Sequence, residues 1–370
     1  MTAEPLFTAL ARFEAFRQVP AAALQASLPL WQAAQLKSGR MMWKQGRPAD
    51  ALAVVVSGSL DVMVNGTRIR HVKAPALVGE SALFITGSRR DASLSAAEPT
   101  VVMLLPSAGL RELRAQASPV YAAILDHALI SETRSIQELY RQIAQVRQGN
   151  FAAPPTREPD RLLTRLWQRL RPPPEPDASG RAPLGELLAL QPVLAAQPEV
   201  CAPLAAAFTA RHFRSGEVLA REGDEDTRAF VLAEGRVDAL RVIEERGSAL
   251  LVGRFERGAI IGAQALIEGG LRPATLVATT DVWVYHIDQA GHRGLPPAVR
   301  TPWLETILAV LTAQCQAASE ALQTTVAAFS TQHEEAMPSL IMQKPVRADG
   351  SVGFGHPADS LVSVPPKRRR

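Results

Sequence analysis

The chain has 370 residues, which is enough for two domains that each bury a hydrophobic core. Hydrophobic residues make up 47% of the chain and charged residues 21%, as is ordinary for a soluble globular protein. The formal net charge is only +4, so the charge balance argues against a nucleic-acid-binding protein, although the pI is about 9.4.

Short strands separated by glycine turns dominate the first hundred residues. Residues 6–35 carry apolar side chains at helical spacing and predict one or two short helices. Residues 38–46 then predict a strand between two glycines, and residues 51–64 alternate, with Leu52, Val54 and Val56 assigned to one face. Asn65 and Gly66 predict a type I′ hairpin. The pattern indicates a small antiparallel barrel or jelly roll.

The segment at residues 78–93 contains the residues that most clearly suggest a ligand-binding site. Gly79 follows an apolar run and opens a short helical stretch, where a glycine allows an anion to approach free backbone N–H groups. Arg90 offers a planar guanidinium to phosphate oxygens, and the carboxylate of Glu80 suits a ribose hydroxyl. Together these residues predict a pocket for a sugar phosphate.

These residues, Gly79-Glu80-Ser81-Ala82-Leu83-Phe84 followed by Arg90-Asp91-Ala92-Ser93, resemble the phosphate-binding cassette of the cyclic nucleotide-binding domain family. The spacing from the glycine to the arginine is similar to that of the catabolite activator protein. The resemblance implies that the glycine-led helix and Arg90 hold a cyclic phosphate, while Glu80 holds the ribose 2′-hydroxyl. The implied ligand-binding set of the first copy is Gly79, Glu80, Ser81, Ala82, Leu83, Arg90, Asp91 and Ala92.

Asp91 departs from the family, which often has Ser, Thr or Ala at this position. Its carboxylate would neutralise Arg90 or repel a phosphate. A barrel that keeps the cassette only as a structural turn, with Arg90 paired to Asp91 or Glu80, is therefore an alternative to a ligand site.

Helical periodicity begins near residue 118 and continues to residue 147. An apolar stripe faces a polar side made of Glu, Arg and Gln. Residues 149–181 are rich in proline and predict a linker, with a short helix at residues 162–170. The Ala/Leu-rich residues 187–208 are interrupted by Gln, Pro and Glu, so they do not predict a membrane span.

The second half repeats the first. Residues 215–223 align with residues 38–46, and Gly235 aligns with Gly58 without a gap. Gly262, Arg272 and Ala274 then match Gly79, Arg90 and Ala92. The repeat covers a whole domain and therefore predicts a tandem duplication.

Ala263 stands in the second cassette where the family has its glutamate. A ribose 2′-hydroxyl there would lack its acceptor, which costs about 1–3 kcal/mol for a buried polar group. Gly262, Ala263, Arg272 and Ala274 therefore define a degenerate ligand site that we expect to be silent.

Residues 303–329 predict another amphipathic helix, and residues 331–370 predict a disordered tail that ends in Lys-Arg-Arg-Arg. We expect no secretory signal at the N-terminus and no helix-turn-helix after Phe329. Cys201 and Cys315 belong to no disulfide framework or zinc motif, in keeping with a reducing cytoplasm. The histidines lack metal-ligand spacing, and no catalytic motif is present.

The predicted fold is mainly β with framing helices: two tandem jelly-roll-like β-rolls, each with a C-terminal amphipathic helix. The predicted divisions are domain 1 (residues 1–148), a linker (149–181), domain 2 (182–330) and the tail (331–370). The predicted function is a non-enzymatic sensor without a metal or resident cofactor, in which cAMP or cGMP binds domain 1. We also expect a homodimer, formed through one apolar helix stripe, and a protein partner that the sequence does not name.

Three other classes of protein remain open. The first is a ligand-independent scaffold with vestigial pockets. The second is a transcription regulator, disfavoured because no helix-turn-helix is expected. The third is a kinase regulatory subunit, which shares the tandem layout, although we expect no inhibitory or docking segment before residue 10.

Overall fold

Two β-rolls with the same strand order succeed each other in the computed structural model. The structure describes residues 3–84, 88–149, 182–243, 248–269 and 271–335. Contacts divide the chain into two units, Met1–Gln323 and Thr324–Arg370, and both rolls lie in the first unit. The predicted linker helix at residues 162–170, the hairpin tip at residues 244–247 and the tail beyond residue 335 lie outside the described residues.

The first roll consists of two four-stranded antiparallel sheets, with strand orders β1-β8-β3-β6 and β2-β7-β4-β5. Asn65 and Gly66 join β4 to β5 with φ angles of 51° and 81°, which confirms the type I′ hairpin. The strands are β1 (Gln32–Leu36), β2 (Met41–Trp43), β3 (Ala51–Ser57), β4 (Ser59–Val64), β5 (Thr67–Lys73), β6 (Ala76–Val78), β7 (Ser93–Ala96) and β8 (Thr100–Pro106).

The second roll repeats this topology, with sheets ordered β9-β16-β11-β14 and β10-β15-β12-β13. Strand for strand, this is the order of the first roll, so the predicted tandem duplication is confirmed. The strands are β9 (Thr209–Phe213), β10 (Val218–Ala220), β11 (Ala229–Glu234), β12 (Val237–Ile243), β13 (Ser248–Phe255), β14 (Ile260–Ile261), β15 (Thr275–Ala278) and β16 (Val282–Ile287).

Helices frame both rolls. The first roll has α1 (Ala3–Ala11), α2 (Ala21–Ser27), α3 (Ser107–Ala115) and α4 (Pro119–Gly149). The second has α5 (Leu184–Leu188), α6 (Pro192–Ala195), α7 (Pro198–Ala205), α8 (Ala263–Glu268), α9 (Gln289–Arg293) and α10 (Pro297–Glu335). The last helix extends to Glu335 rather than ending at Phe329. None of the helices in the described ranges is long and apolar enough to cross a membrane.

The central strand β3 is buried on both faces, and Leu52, Val54 and Val56 share one face, as the alternation predicted. Ala53 and Val55 face the interior of the roll, whereas Leu52 and Val54 face the helices. Its counterpart β11 divides its side chains in the same way between two cores. A strand between a roll and a helical layer has no solvent face, so both sets of residues are apolar.

The helices of the two halves share one hydrophobic core. Ile124 and Leu125 of α4 belong to the same buried cluster as Trp303 and Leu308 of α10. Farther along these helices, Ile143 and Ala318 are buried in a smaller cluster that includes Leu322. The two apolar stripes therefore pack within the chain over the residues whose side chains are described.

Candidate ligand sites in the two cassettes

The first cassette begins where β6 ends. Gly79 has a φ of 77°, a left-handed conformation that favours glycine. The predicted helix after it is a single 3-10 turn, Ser81–Leu83. A Cβ atom at position 79 would lie 2.6 Å from Cζ3 of Trp43 and 2.7 Å from Nη1 of Arg90. The space against this glycine is therefore filled by side chains of the chain itself.

The Arg90 guanidinium contacts several groups of the first roll. Its Nη2 donates to the carbonyl of Ala51 at 2.5 Å and to Oδ1 of Asp50 at 3.2 Å, and Nη1 donates to the carbonyl of Gly79 at 3.4 Å. Its guanidinium carbon lies 3.7 Å from the centroid of the Trp43 ring, which is a cation–π contact. The Nε–H is buried and has no hydrogen-bond partner.

The ion pair of Arg90 differs from the one that the scaffold alternative predicted. Its partner is Asp50 at the start of β3, and neither Asp91 nor Glu80 pairs with it in the described structure. The Arg90 side chain is 4% exposed while that of Asp50 is 79% exposed, so a buried guanidinium is paired with a carboxylate that is open to solvent. Burial lowers the pKa of Arg90, and Asp50 opposes that change.

Two further carboxyl groups, Glu80 and Asp91, lie near Glu132 of α4. Glu80 is 6% exposed and lies against Ser131 and Glu132 of α4. Burial raises the pKa of Glu80 to about 7, and the nearby charge of Glu132 adds to that rise. Burial also raises the pKa of Glu132, whose Oε2 has no hydrogen-bond partner. Partial burial raises the pKa of Asp91 as well.

Asp91 contacts the second half of the chain. Its Oδ1 accepts a hydrogen bond of 3.3 Å from Nε2 of Gln316 on α10. Cys315, the preceding residue, lies beside Glu132, and burial with the charge of Glu132 raises the pKa of the thiol to about 12. The final helix of domain 2 therefore reaches the cassette of domain 1.

The structure places Gly79 against Arg90, and Glu80, Ser81 and Asp91 near Glu132; that these residues bind a ligand stays a prediction. The three apolar members of the predicted set pack within the protein: Ala82 is buried, Leu83 packs on the helical core and Ala92 packs on the interior of the roll. Sequence reasoning missed Asp50, Trp43, Glu132 and Gln316. Trp43 was the most visible of these, because a large aromatic residue stands there at the end of a short strand.

The second cassette has the same backbone and different electrostatics. Gly262 has a φ of 72°, and Arg272 donates from Nη1 to the Gly262 carbonyl at 3.1 Å and from Nη2 to the Arg228 carbonyl at 2.5 Å. Its Nη2 also lies 3.0 Å from Oδ2 of Asp226. The Nε–H of Arg272 is buried without a partner, as it is in Arg90.

Asp226 forms ion pairs with two arginines in this cassette. Besides Arg272 it binds Arg228, whose Nε and Nη2 donate to its two oxygens at 2.8 and 2.9 Å. Burial opposes ionisation of Asp226, but the two guanidinium groups lower its pKa to about 2. Ala263 and Ala274 are buried, and no carboxylate occupies position 263. In the second cassette two arginines thus share one carboxylate, whereas in the first Arg90 pairs with Asp50 while Glu80 and Asp91 lie near Glu132.

An open groove of about 1140 Å³ lies outside the first cassette. It runs between the residues after α1, strand β5 and helix α4. Arg70, Leu77 and Ser131 line it, and Ser131 also lies against Glu80, so the groove leads toward the buried glutamate. Within the described ranges, no group of three or more His, Cys, Asp or Glu residues is arranged to hold a metal ion.

The family model described as "Cyclic nucleotide-binding domain" matches residues 33–117 and 210–295, one match in each roll. A curated relative, the cAMP-dependent protein kinase regulatory subunit of Dictyostelium discoideum, is 33% identical over 81 residues. That alignment covers 22% of this chain and 24% of the relative, so the chain matches about a quarter of that protein's length.

The solved structures that match this chain have lower sequence identity. The regulatory domain of Toxoplasma gondii PKA, crystallised with cAMP, is 15% identical, with coverage of 81% of this chain and 94% of that chain and a TM-score of 0.29. The regulatory subunit of a cAMP-independent protein kinase A from Trypanosoma cruzi, bound to guanosine, is 16% identical, with coverage of 88% and 93% and a TM-score of 0.31. Likeness at this level transfers no ligand to this chain.

Proposed function

Since the chain contains two tandem domains of the cyclic nucleotide-binding family, we propose that it is a non-catalytic regulatory protein whose domain 1 cassette binds a cyclic nucleotide, cAMP or cGMP. One observation carries the proposal. The buried carboxyl of Glu80 and a buried guanidinium N–H of Arg90 without an acceptor lie in one cassette. An unpaired buried donor costs about 1–3 kcal/mol, which a phosphate oxygen would recover.

Each of these groups has a distinct role in the proposal. Arg90, already oriented by Asp50 and two backbone carbonyls, donates its remaining Nε–H to the cyclic phosphate. Glu80 accepts the hydrogen bond of the ribose 2′-hydroxyl. Domain 2 lacks that acceptor at Ala263, so a ligand there would form fewer hydrogen bonds.

Binding requires movement of two parts of the chain. The Trp43 ring fills the space against Gly79, and α4 places Glu132 against Glu80 and Ser81. A nucleotide must displace both, so it stabilises a second arrangement in which α4 has shifted. A ligand that binds one of two arrangements better shifts the equilibrium between them, and this shift is the proposed signal.

The ligand-independent scaffold is the second candidate, and a specific observation favours it. Arg90 has Asp50 as its counterion, and Trp43 occupies the space beside Gly79. The helices of both halves also share one core, which suits a rigid assembly module. On this account the cassettes are structural turns and no effector moves α4.

Calorimetric titration with cAMP, cGMP, cyclic dinucleotides and the uncharged nucleosides adenosine and guanosine separates the two candidates. The nucleosides keep the ribose and the base but lack the phosphate. We expect a cyclic mononucleotide to bind and its nucleoside to bind at least about a hundredfold more weakly, because charge-assisted contacts to the phosphate are lost. Binding of no cyclic nucleotide would support the scaffold.

The proposal also includes the cellular compartment, the partner and the oligomeric state. Cys201 and Cys315 are free, in keeping with the cytoplasm. The partner that receives the signal is a protein of unknown identity. The homodimer stays a prediction, and its expected interface must lie outside the stripe residues that are already buried within the chain. Sedimentation equilibrium tests it, and a purely monomeric protein would contradict it.

A further inference from the structure

Strand β5 forms an exposed edge of the first roll. It ends the sheet ordered β2-β7-β4-β5 and, within the described residues, pairs only with β4. Six of its seven residues are exposed, and Ile69 is 62% exposed. An edge strand has a row of backbone N–H and C=O groups without ladder partners, and an extended segment of another protein can pair with them.

The side chains of β5 are basic. Arg68, Arg70 and Lys73 carry positive charges, and the strand contains no carboxylate. Asp61 on the neighbouring strand β4 lies 2.8 Å from Nδ1 of His71 and 3.7 Å from Nη1 of Arg68. Arg70 and Lys73 form no ion pair with any residue in the described ranges. This edge therefore presents cations that the rest of the roll does not neutralise.

The groove beside β5 extends this basic surface. Arg70 lines the groove together with Arg12 and Arg17, which follow α1. All three side chains are exposed, and none of them has an ion-pair partner among the residues that the structure describes. Arg70 also attracts the buried carboxyl groups of Glu80 and Glu132. Three guanidinium groups are thus open to solvent along one groove.

The groove also contains carboxylates, which bear on the kind of partner that fits it. Glu14 follows α1, and Asp126 and Glu138 lie on α4, whereas none lies on β5. These carboxylates would repel the continuous phosphates of a nucleic acid or an anionic membrane, but a peptide can place neutral residues beside them. A second copy of this chain fits poorly, because pairing two β5 strands would bring like charges together.

The counterpart strand of domain 2 lacks this surface. Strand β13 is also an edge, but its one charged residue, Arg254, donates to both carboxylate oxygens of Asp238 at 2.8 and 2.9 Å. Val252 of β13 packs against the cluster of Ile143 and Ala318, so α4 and α10 cover part of this strand. The open basic edge is therefore a feature of β5 and not of the duplicated fold.

We propose that β5 and the adjoining groove dock an extended acidic segment of a partner protein. The segment adds to the edge of β5 as a further strand, so backbone hydrogen bonds hold it in place. Its carboxylates pair with the β5 cations and with Arg12 and Arg17 in the groove, which supplies the specificity for acidic sequences. The surface lies outside the cassette and does not rest on the proposed nucleotide site.

Fluorescence anisotropy with three labelled ten-residue peptides tests both parts of the proposal. The first peptide alternates Glu with Thr and Val, and the second has Gln in place of every Glu. The third keeps the glutamates but carries N-methyl groups on its central backbone amides, so it cannot donate hydrogen bonds to β5. We expect saturable binding of the first peptide and at least about tenfold weaker binding of the other two.

Substitutions on the full chain locate the binding surface. Arg70→Gln and Lys73→Gln should each weaken binding of the acidic peptide about 2- to 5-fold, the usual effect of an exposed ion pair, and the double variant about tenfold. Arg257→Gln changes an exposed arginine that follows β13 and should leave the affinity unchanged. Thermal unfolding verifies that each variant is folded.

Several results would overturn the docking surface. They are no saturable binding of the acidic peptide, equal binding of the Gln or N-methylated peptide, and equal effects of Arg70→Gln and Arg257→Gln. Tighter binding of an RNA oligonucleotide or of phosphatidylserine vesicles would reassign the surface to a polyanion. A dimer in sedimentation that the double variant dissociates would reassign it to a second copy. A protein that binds the acidic peptide but no cyclic nucleotide retains this surface and loses only the proposed effector.

Discussion

The two cassettes have nearly the same backbone and opposite surroundings. In both, a left-handed glycine and an arginine meet, and the arginine donates to the glycine carbonyl and to a carbonyl of the neighbouring strand region. In domain 1 burial raises the pKa values of the nearby carboxyl groups, whereas in domain 2 two arginines share Asp226 and lower its pKa. The motifs indicate the backbone geometry that the two cassettes share, whereas the charged side chains around each cassette determine which ligand it can bind.

The largest expected difference concerns the acids that support the two arginines. Asp226→Ala leaves Arg272, whose side chain is 1% exposed, buried without its counterion, and we expect a loss of about 3–5 kcal/mol in the free energy of unfolding. Asp50→Ala removes a partner that is 79% exposed, and we expect a loss below about 1 kcal/mol. Urea denaturation measures both, and equal losses would show that the two arginines are supported alike.

The next difference is in how the free energy of unfolding depends on pH. The raised pKa of Glu80, about 7, means that its favourable contribution is present below its ordinary pKa of 4.5 and is lost as the pH rises through 7. Asp226, lowered to about 2, contributes above its ordinary value of 3.8 and loses that contribution as the pH falls through 2. Each effect is on the order of 1–3 kcal/mol at most, by the usual conversion of a pKa shift.

Two isosteric variants separate these contributions. Relative to wild type, Glu80→Gln should gain stability as the pH rises from about 4.5 to about 7, and Asp226→Asn should lose its disadvantage as the pH falls from about 4 toward 2. Thermal unfolding over this pH range measures both. Parallel pH profiles for Glu80→Gln and wild type would contradict the buried, protonated glutamate.

A smaller effect is expected from Asp91, the residue that departs from the family pattern. If its charge opposes a phosphate, Asp91→Ser should tighten binding of the cyclic nucleotide by about tenfold, the size of a partly screened charge contact. Asp91→Asn should tighten it less, because the amide still pairs with Gln316. Weaker binding by Asp91→Ser would instead identify Asp91 as a ligand contact.

The sequence predicted the parts of this architecture that depend on local patterns. Asn65-Gly66 predicted a hairpin, and the repeated glycines and arginines predicted two rolls. Both signals can be read from short stretches of the sequence, without knowing which distant elements pack together. Asp50, Glu132 and Gln316 could not be assigned from the sequence, since their roles depend on which distant elements pack together. The alternation in β3 placed Leu52 and Val54 on one face correctly, but it did not show that the other face is also covered, because that depends on the layer that packs against it.

The apolar helix stripes illustrate the same limit. A stripe shows that a helix packs against something, but not whether the partner is the same chain or a second copy. In this chain Ile143 of α4 and Ala318 of α10 pack in one cluster, so part of the surface assigned to a dimer is used internally.

The most direct test of the central claim is the binding stoichiometry of the cyclic nucleotide in matched arginine variants. We predict one ligand per chain for wild type, binding weakened by orders of magnitude in Arg90→Ala, and nearly unchanged affinity in Arg272→Ala. Arg90→Lys serves as a second variant, which keeps the charge but loses the planar fork, and thermal unfolding verifies that each variant is folded. Two ligands per chain, or loss of binding in Arg272→Ala alone, would contradict the assignment of the effector to domain 1.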